Sequence, residues 1–336
     1  VIGHTYLSGG DLDKLDSTFS TIRMPFFFFI SGIFFSPKKD FLSYVIYKFD
    51  VLVKPFLSII FIFLIFHLIT AGSTSVLYHQ VLEMLYGSLI SWPWTSIWFL
   101  PHLWIVFVFS TAVLQILNYD KQKLFLKCIF LSVLLVVGSY FISAFLNINV
   151  SFFGVNKTLH GLPFSLDLVL LTSFYFILGY TTKEFVVEFK PNYYLFFLGC
   201  VFIYMSAFHL GARIDLIQRL IHNPIFSIPS SLFGIYCGLT IAKLISKLAY
   251  IREIFLAMGV YSLFILIFHG VIHQDLMHAI FKTPMSSLEG VISLFACIMA
   301  SILIGVVVSK NDFLALFFKP FKTNPLFQRR IKHATE

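Results

Sequence analysis

The sequence predicts an all-α, polytopic integral membrane protein of about ten transmembrane helices, the first of them truncated. Three observations predict it. Of 336 residues, 58% are hydrophobic and only 12% charged, with a mean hydropathy of +0.89; a soluble domain carries about 25% charge. Apolar runs near the length that crosses a bilayer, about 20 residues, recur along the chain with polar breaks between them. Lys and Arg concentrate in alternate breaks, as the positive-inside rule requires.

The apolar runs are 1–7, 24–36, 55–74, 97–118, 126–147, 163–182, 193–210, 224–243, 254–275 and 290–309. The first is too short to span and is read as the outer end of a helix whose inner end precedes Val1. The second, opened by Met24 and Pro25, is a Phe-rich run expected to extend into Ser36 and beyond. Between the third and fourth, residues 75–96 are apolar but interrupted by Gly87, Trp92, Pro93 and Trp94. Trp favours the headgroup level, so this stretch predicts an interfacial or re-entrant segment. No internal repeat marks a pair of matching halves. The domain reading is a transmembrane domain over 1–309 and a basic cytoplasmic tail over 310–336. The tail, with Phe interspersed, predicts a membrane-surface segment.

The connecting segments 36–54, 119–127, 183–192, 243–253 and 310–336 hold 18 of the 24 Lys and Arg; the other set, 8–24, 75–96, 148–162, 211–223 and 276–289, holds 6. The first set is therefore expected on the cytoplasmic side, together with both termini. The net charge of +8 is thus a topology signal and not a nucleic-acid footprint. The four cysteines, Cys128, Cys200, Cys237 and Cys297, lie inside apolar runs without a CxxC pair, so neither a structural metal nor a disulfide framework is predicted. Histidines show the opposite bias. Of eleven, only His333 falls in a cytoplasmic segment. Chance tolerance of interfacial His explains that bias equally well as a proton-handling site open to the outer face.

Ionisable and polar groups at membrane depth are the candidates for chemistry. His4 follows Gly3, which leaves room for a close partner; it suits a general base, or a structural helix-end His. Ser31-Gly32 breaks the Phe run and admits a neighbouring backbone. Asp167, at the outer start of its helix, serves either a site or the helix dipole. Asp215 and Arg219, four apart, fit an ordinary ion pair on a short helix. Ser262 and His269 share a helix face two turns apart, continued by His273. Lys48 and Lys54, with Lys38 and Lys39, satisfy the positive-inside rule or attract an anionic cytosolic donor.

Together, Gly3-His4-Thr5, the string Met24-Pro25-Phe26-Phe27-Phe28-Phe29-Ile30-Ser31-Gly32, Leu166-Asp167 before an apolar span, and Ser262-Leu263-Phe264-Ile265 with Phe268-His269 resemble the acyltransferase-3 family. Its members are membrane O-acyltransferases of surface glycans, and the Phe-rich string is similar to that of the sugar O-acetylases. The resemblance covers nearly the whole chain. It implies a multi-pass protein of the inner (plasma) membrane that moves an acetyl group from acetyl-CoA to a glycan hydroxyl, with no bound cofactor or metal and no nucleic-acid partner. It implies His4 as the catalytic group, either general base or acyl carrier, and an Arg ahead of it with ten residues between. Arg23 becomes a candidate for the oxyanion. Ser31, Asp167, Arg219, Ser262 and His269 become supporting or acceptor-binding residues, and Lys48 and Lys54 donor-binding ones. Where members carry an Arg-rich stretch before a Pro, this chain has Tyr47-Lys48-Phe49-Asp50-Val51-Leu52-Val53-Lys54-Pro55, with Lys for Arg and an intruding Asp50. A multi-helix transporter or glycan flippase is the competing reading of the same pattern.

Overall fold

The structure, a computed structural model, describes residues 11–37, 40–70, 81, 84–87, 95–145, 148–152, 155–159, 161–273, 280 and 287–321. It is overwhelmingly helical. Five helical stretches are long and apolar enough to cross a membrane: Ser96–Ile116, Leu124–Phe141, Pro163–Thr181, Pro224–Ile245 and Glu289–Lys310. A bent pair raises the number to six, and Thr18–Ile33 and Tyr193–Phe208 are shorter apolar helices. The protein is thus a polytopic membrane protein by composition and helix length. The expected run 1–7, and most of 75–96, lie outside the described residues.

Helix α1 (Asp11–Ile33) begins well before the expected 24–36 run and does not continue through Ser36. Its described part before residue 24 includes Asp11, Asp13, Lys14 and Asp16, a stretch that hydropathy reads as loop. Next come α2 (Phe41–Lys48), a π-helical turn (Phe49–Val53) and α3 (Lys54–Thr70). Phe49 and Lys54, at the junctions, keep right-handed helical angles. The three pieces therefore make one rod of about 45 Å at 1.5 Å per residue. The expected cytoplasmic loop 36–54 is mostly helix. Pro55 explains the π turn. A proline inside a helix lacks the N–H for the preceding turn and its ring collides with the carbonyl four residues back; widening the helix just before it relieves both.

A 3₁₀ turn (Thr95–Trp98) leads into α4 (Phe99–Ile116), followed by α5 (Leu124–Phe141). The connection to the next span is a hairpin, β1 (Ile148–Phe152) with β2 (Val155–Leu159). The turn Pro163–Leu168 starts α6 (Val169–Thr181), followed by α7 (Lys183–Val187) and α8 (Tyr193–Phe208). A second hairpin, β3 (Arg213–Asp215) with β4 (Leu220–His222), precedes α9 (Pro224–Ile245). The expected single helix 254–275 is two, α10 (Ala249–Val260) and α11 (Ser262–Val271), bent by 76° at Tyr261. There α12 (Ser287–Lys310) passes so closely that a Cβ on Gly305 would lie 2.7 Å from the Tyr261 ring. Last comes α13 (Asp312–Phe318), with Ala315 and Phe318 buried.

At the centre α1 crosses α6 backbone to backbone. A Cβ on Gly32 would meet the Phe176 carbonyl oxygen at 1.8 Å, and one on Gly179 the Phe29 carbonyl oxygen at 2.0 Å. Small residues make this close packing possible, as the Ser31-Gly32 break predicted. Around the crossing, Phe35, Phe107 and Phe176 meet ring to ring, at 5.0–6.0 Å between centroids.

Candidate functional site

Two polar clusters stand out, and both are built on local irregularities. The first sits where the chain enters α6. Phe164 (φ 54°) and Ser165 (φ 58°) adopt left-handed backbone conformations, unfavourable for side-chain-bearing residues by roughly 1–2 kcal/mol each. The turn is held from several directions. Asp167 accepts a hydrogen bond from the Leu162 N–H at 2.8 Å, and the Ser165 N–H donates to the Leu162 carbonyl at 2.9 Å. Consecutive strained residues of this kind persist where surrounding structure over-determines them, and they concentrate at functional sites.

Into this turn reaches Arg219. Its Nε donates to Asp167 Oδ2 at 3.0 Å, its Nη2 to Ser165 Oγ at 3.0 Å, and its Nη1 to the Ile217 carbonyl at 2.9 Å. Asp167 and Ser165 are fully buried and Arg219 is 2% exposed. Gly161 (φ 79°) runs beneath the guanidinium, where a Cβ would lie 2.3 Å from Nη2. Tyr86 closes the cluster by donating to the Gly161 carbonyl at 2.9 Å. Burial first, then the Asp167 charge, raise its phenol above the ordinary value, against an opposing effect of Arg219.

This corrects the expected Asp215–Arg219 pair. The segment is a hairpin, not a short helix, because Asp215 turns the chain by accepting from the Gln218 N–H at 2.9 Å. Asp215 instead pairs with Arg213 at 2.7 Å. Arg219, left-handed at φ 54°, is thereby directed into the bundle.

The second cluster lies on the π turn before α3. Lys54 pairs with Asp50 at 2.7 Å, stands 3.8 Å from the Phe321 ring centroid and donates to the Lys319 carbonyl. Asp50 also accepts from the Phe321 N–H at 2.7 Å, and Ser58 donates to the Phe317 carbonyl at 2.9 Å. The chain after α12 is therefore built into this cluster through residue 321. Lys48 faces the Phe107 ring at 3.8 Å, beside Trp104, whose Nε1 donates to the Val45 carbonyl at 3.2 Å. The two clusters touch: Phe56, two residues beyond Lys54, meets the Phe164 ring edge to face at 6.4 Å.

Other candidates stand apart from this junction. Ser31 returns its hydroxyl to the Phe27 carbonyl at 2.9 Å. Arg23 is half-buried on α1 and enters none of the ion pairs among the described residues. Ser262 is exposed at the elbow, whereas His269, on the same helix, is buried with Nδ1 at 2.6 Å from the Ile265 carbonyl. His273 is buried against Ser293. His4 lies outside the described residues. Among the described residues no group of His, Cys, Asp and Glu is arranged to hold a metal ion.

Sequence reasoning missed His102. It is fully buried, with Nδ1 at 3.1 Å from the Phe164 carbonyl and Nε2 at 3.1 Å from Thr172 Oγ1. The available signal was Leu100-Pro101-His102 inside an apolar run, and it has no distinctive spacing. Ser165 was visible only as the neighbour of Asp167.

The family model described as an acyltransferase domain matches residues 1–310. No curated protein and no solved structure matches the chain.

Proposed function

Because the chain belongs to the acyltransferase-3 family, as a membrane-embedded acyltransferase, we propose that it moves an acetyl group from acetyl-CoA to a hydroxyl of a surface or lipid-linked glycan. The observation that carries this reading is the junction of the two clusters. Group transfer needs donor and acceptor held side by side. A cationic, π-bulged helix start and a buried, strained Asp167–Arg219–Ser165 turn meet here through Phe56 and Phe164.

In this reading Lys48 and Lys54 favour the anionic coenzyme, and Asp167, Arg219 and Ser165 shape the acceptor side. His4 takes the proton from the acceptor hydroxyl as its oxygen attacks the thioester carbonyl. The C–O bond forms, the C–S bond breaks, and the proton passes to the departing thiolate. With His4 as acyl carrier, the imidazole nitrogen first displaces the thiolate and the hydroxyl then displaces the imidazole. Arg23 is the available cation for the oxyanion. The amino and carboxyl termini lie on the cytosolic, donor side of the plasma membrane.

The test is transfer of labelled acetyl from acetyl-CoA to glycan in membranes lacking other acetyltransferases. His4→Ala is expected to lower the rate by about 10²–10⁴, and His222→Ala, at an exposed hairpin position, to retain it. Near-wild-type transfer by His4→Ala removes that residue from the mechanism. A wild-type protein that consumes no thioester but moves glycan across the bilayer is a transporter instead.

A further inference from the structure

We propose that His102 is a positioning residue of the transfer site, holding the Phe164 peptide so that the Asp167–Arg219 cluster and the Lys54 bulge keep their spacing. The inference rests on the acyl-transfer reading above and deepens it.

Both ring nitrogens of His102 are spoken for. A carbonyl only accepts, so the Nδ1 beside the Phe164 oxygen carries the proton. Nε2 faces Thr172 Oγ1, a hydroxyl that also lies 2.9 Å from the Leu168 carbonyl. Neither nitrogen is left to a substrate, so His102 is not the base of the reaction. Its ring is wedged at 5.6 Å from both Phe28 and Trp98. It thus joins α1, α4, the 163–168 turn and the start of α6.

The tie falls on the residue that needs it. Phe164 is left-handed, and its peptide gains by rotating back unless its carbonyl is anchored. Its ring is the piece between the two clusters. It leans on Phe56 and lies over Gly87 (φ 69°), where a Cβ would come within 2.6 Å of it. Rotation of the Phe164 peptide would also carry Ser165 away from the Arg219 guanidinium, to which it is bonded at 3.0 Å. One buried imidazole therefore sets both the acceptor-side hydrogen bonds and the partition toward Lys54.

The test compares His102→Phe, which keeps the bulk and loses the donor, with His102→Asn, whose amide N–H restores a donor near the Nδ1 position. Thr172→Val removes the Nε2 partner, together with that hydroxyl's bond to the Leu168 carbonyl, and leaves the Phe164 anchor in place. Acceptor KM is expected to rise about tenfold in His102→Phe, the worth of one anchoring bond, and to stay within about threefold of wild type in the other two. Thioester hydrolysis without acceptor stays at the wild-type rate in His102→Asn and Thr172→Val, which keep the Phe164 anchor.

A second readout needs no turnover. Ser165→Cys, in a background with the native cysteines replaced by alanine, is expected to resist thiol reagents alone and with His102→Asn, and to react quickly with His102→Phe. Unchanged acceptor KM and continued protection in His102→Phe overturn the proposal. So does an equal fall of all rate constants in His102→Phe and His102→Asn, which marks a merely structural residue. If the labelling pattern holds but the wild type consumes no thioester, the positioning role stands and the acyl-transfer reading falls.

Discussion

Removing both members of the Asp167–Arg219 pair should cost much less than the sum of removing each alone. Asp167→Asn keeps an oxygen for the Leu162 N–H but leaves Arg219, 2% exposed, as a buried cation without a counter-charge. Breaking a buried pair in this way costs about 3–5 kcal/mol. Arg219→Met strands the fully buried Asp167 and forfeits the bonds to Ser165 and the Ile217 carbonyl, a cost of the same order. The double variant carries no buried charge, so its cost should fall well short of the sum of the two single costs, with a coupling energy of at least about 2 kcal/mol. The measurement is reversible unfolding of detergent-purified protein for all four corners of the cycle, with acceptor KM followed in parallel. Additive single effects, or a single variant within about 0.5 kcal/mol of wild type, would show that the pair is not the isolated unit its geometry describes. Acceptor KM should rise in all three variants, because the double variant restores stability without restoring the guanidinium.

Gly179→Ala should lose most of the folded yield in size-exclusion of detergent extracts. Its methyl would sit 2.0 Å from the Phe29 carbonyl oxygen, and overpacking at a rigid contact costs about 1–3 kcal/mol or more; a normal yield would mean that α1 and α6 separate freely. For the orientation, single cysteines at the exposed positions Lys121 and Lys247 should be shielded from impermeant thiol reagents in intact cells, and one at exposed Gln218 should be labelled. The reverse pattern exchanges the donor and acceptor sides.

Much of the helical frame was legible in the sequence. The runs 97–118, 163–182, 193–210 and 224–243 lie within a few residues of the helices found, because lipid-length apolar stretches leave few alternatives. The misses share one physical cause: hydropathy registers single residues, whereas a charge at membrane depth is tolerated through its partner. Asp50 and Lys54 read as loop, yet they pair across one turn inside a continuous rod. Arg219 read as the i+4 partner of Asp215 because spacing suggests a helix; its true partner lies 52 positions away, and no local rule reaches that far. His102 looked like any interfacial histidine, since its importance comes from a carbonyl 62 positions distant. The Ser31-Gly32 break was readable because close backbone approach leaves its mark in residue size itself.

The bonds between the bulge and the end of α13 also order events in time. Asp50 and the Phe321 N–H are 271 positions apart. At about 5–20 residues per second of synthesis, roughly 15–55 s separate the emergence of the two groups from the ribosome. During that interval Asp50 has Lys54 alone for company, and the first turns of α3 wait in the bilayer with their tail contacts unmade. The cationic half of the junction is therefore completed long after the residues that define it, Asp50 and Lys54, are made.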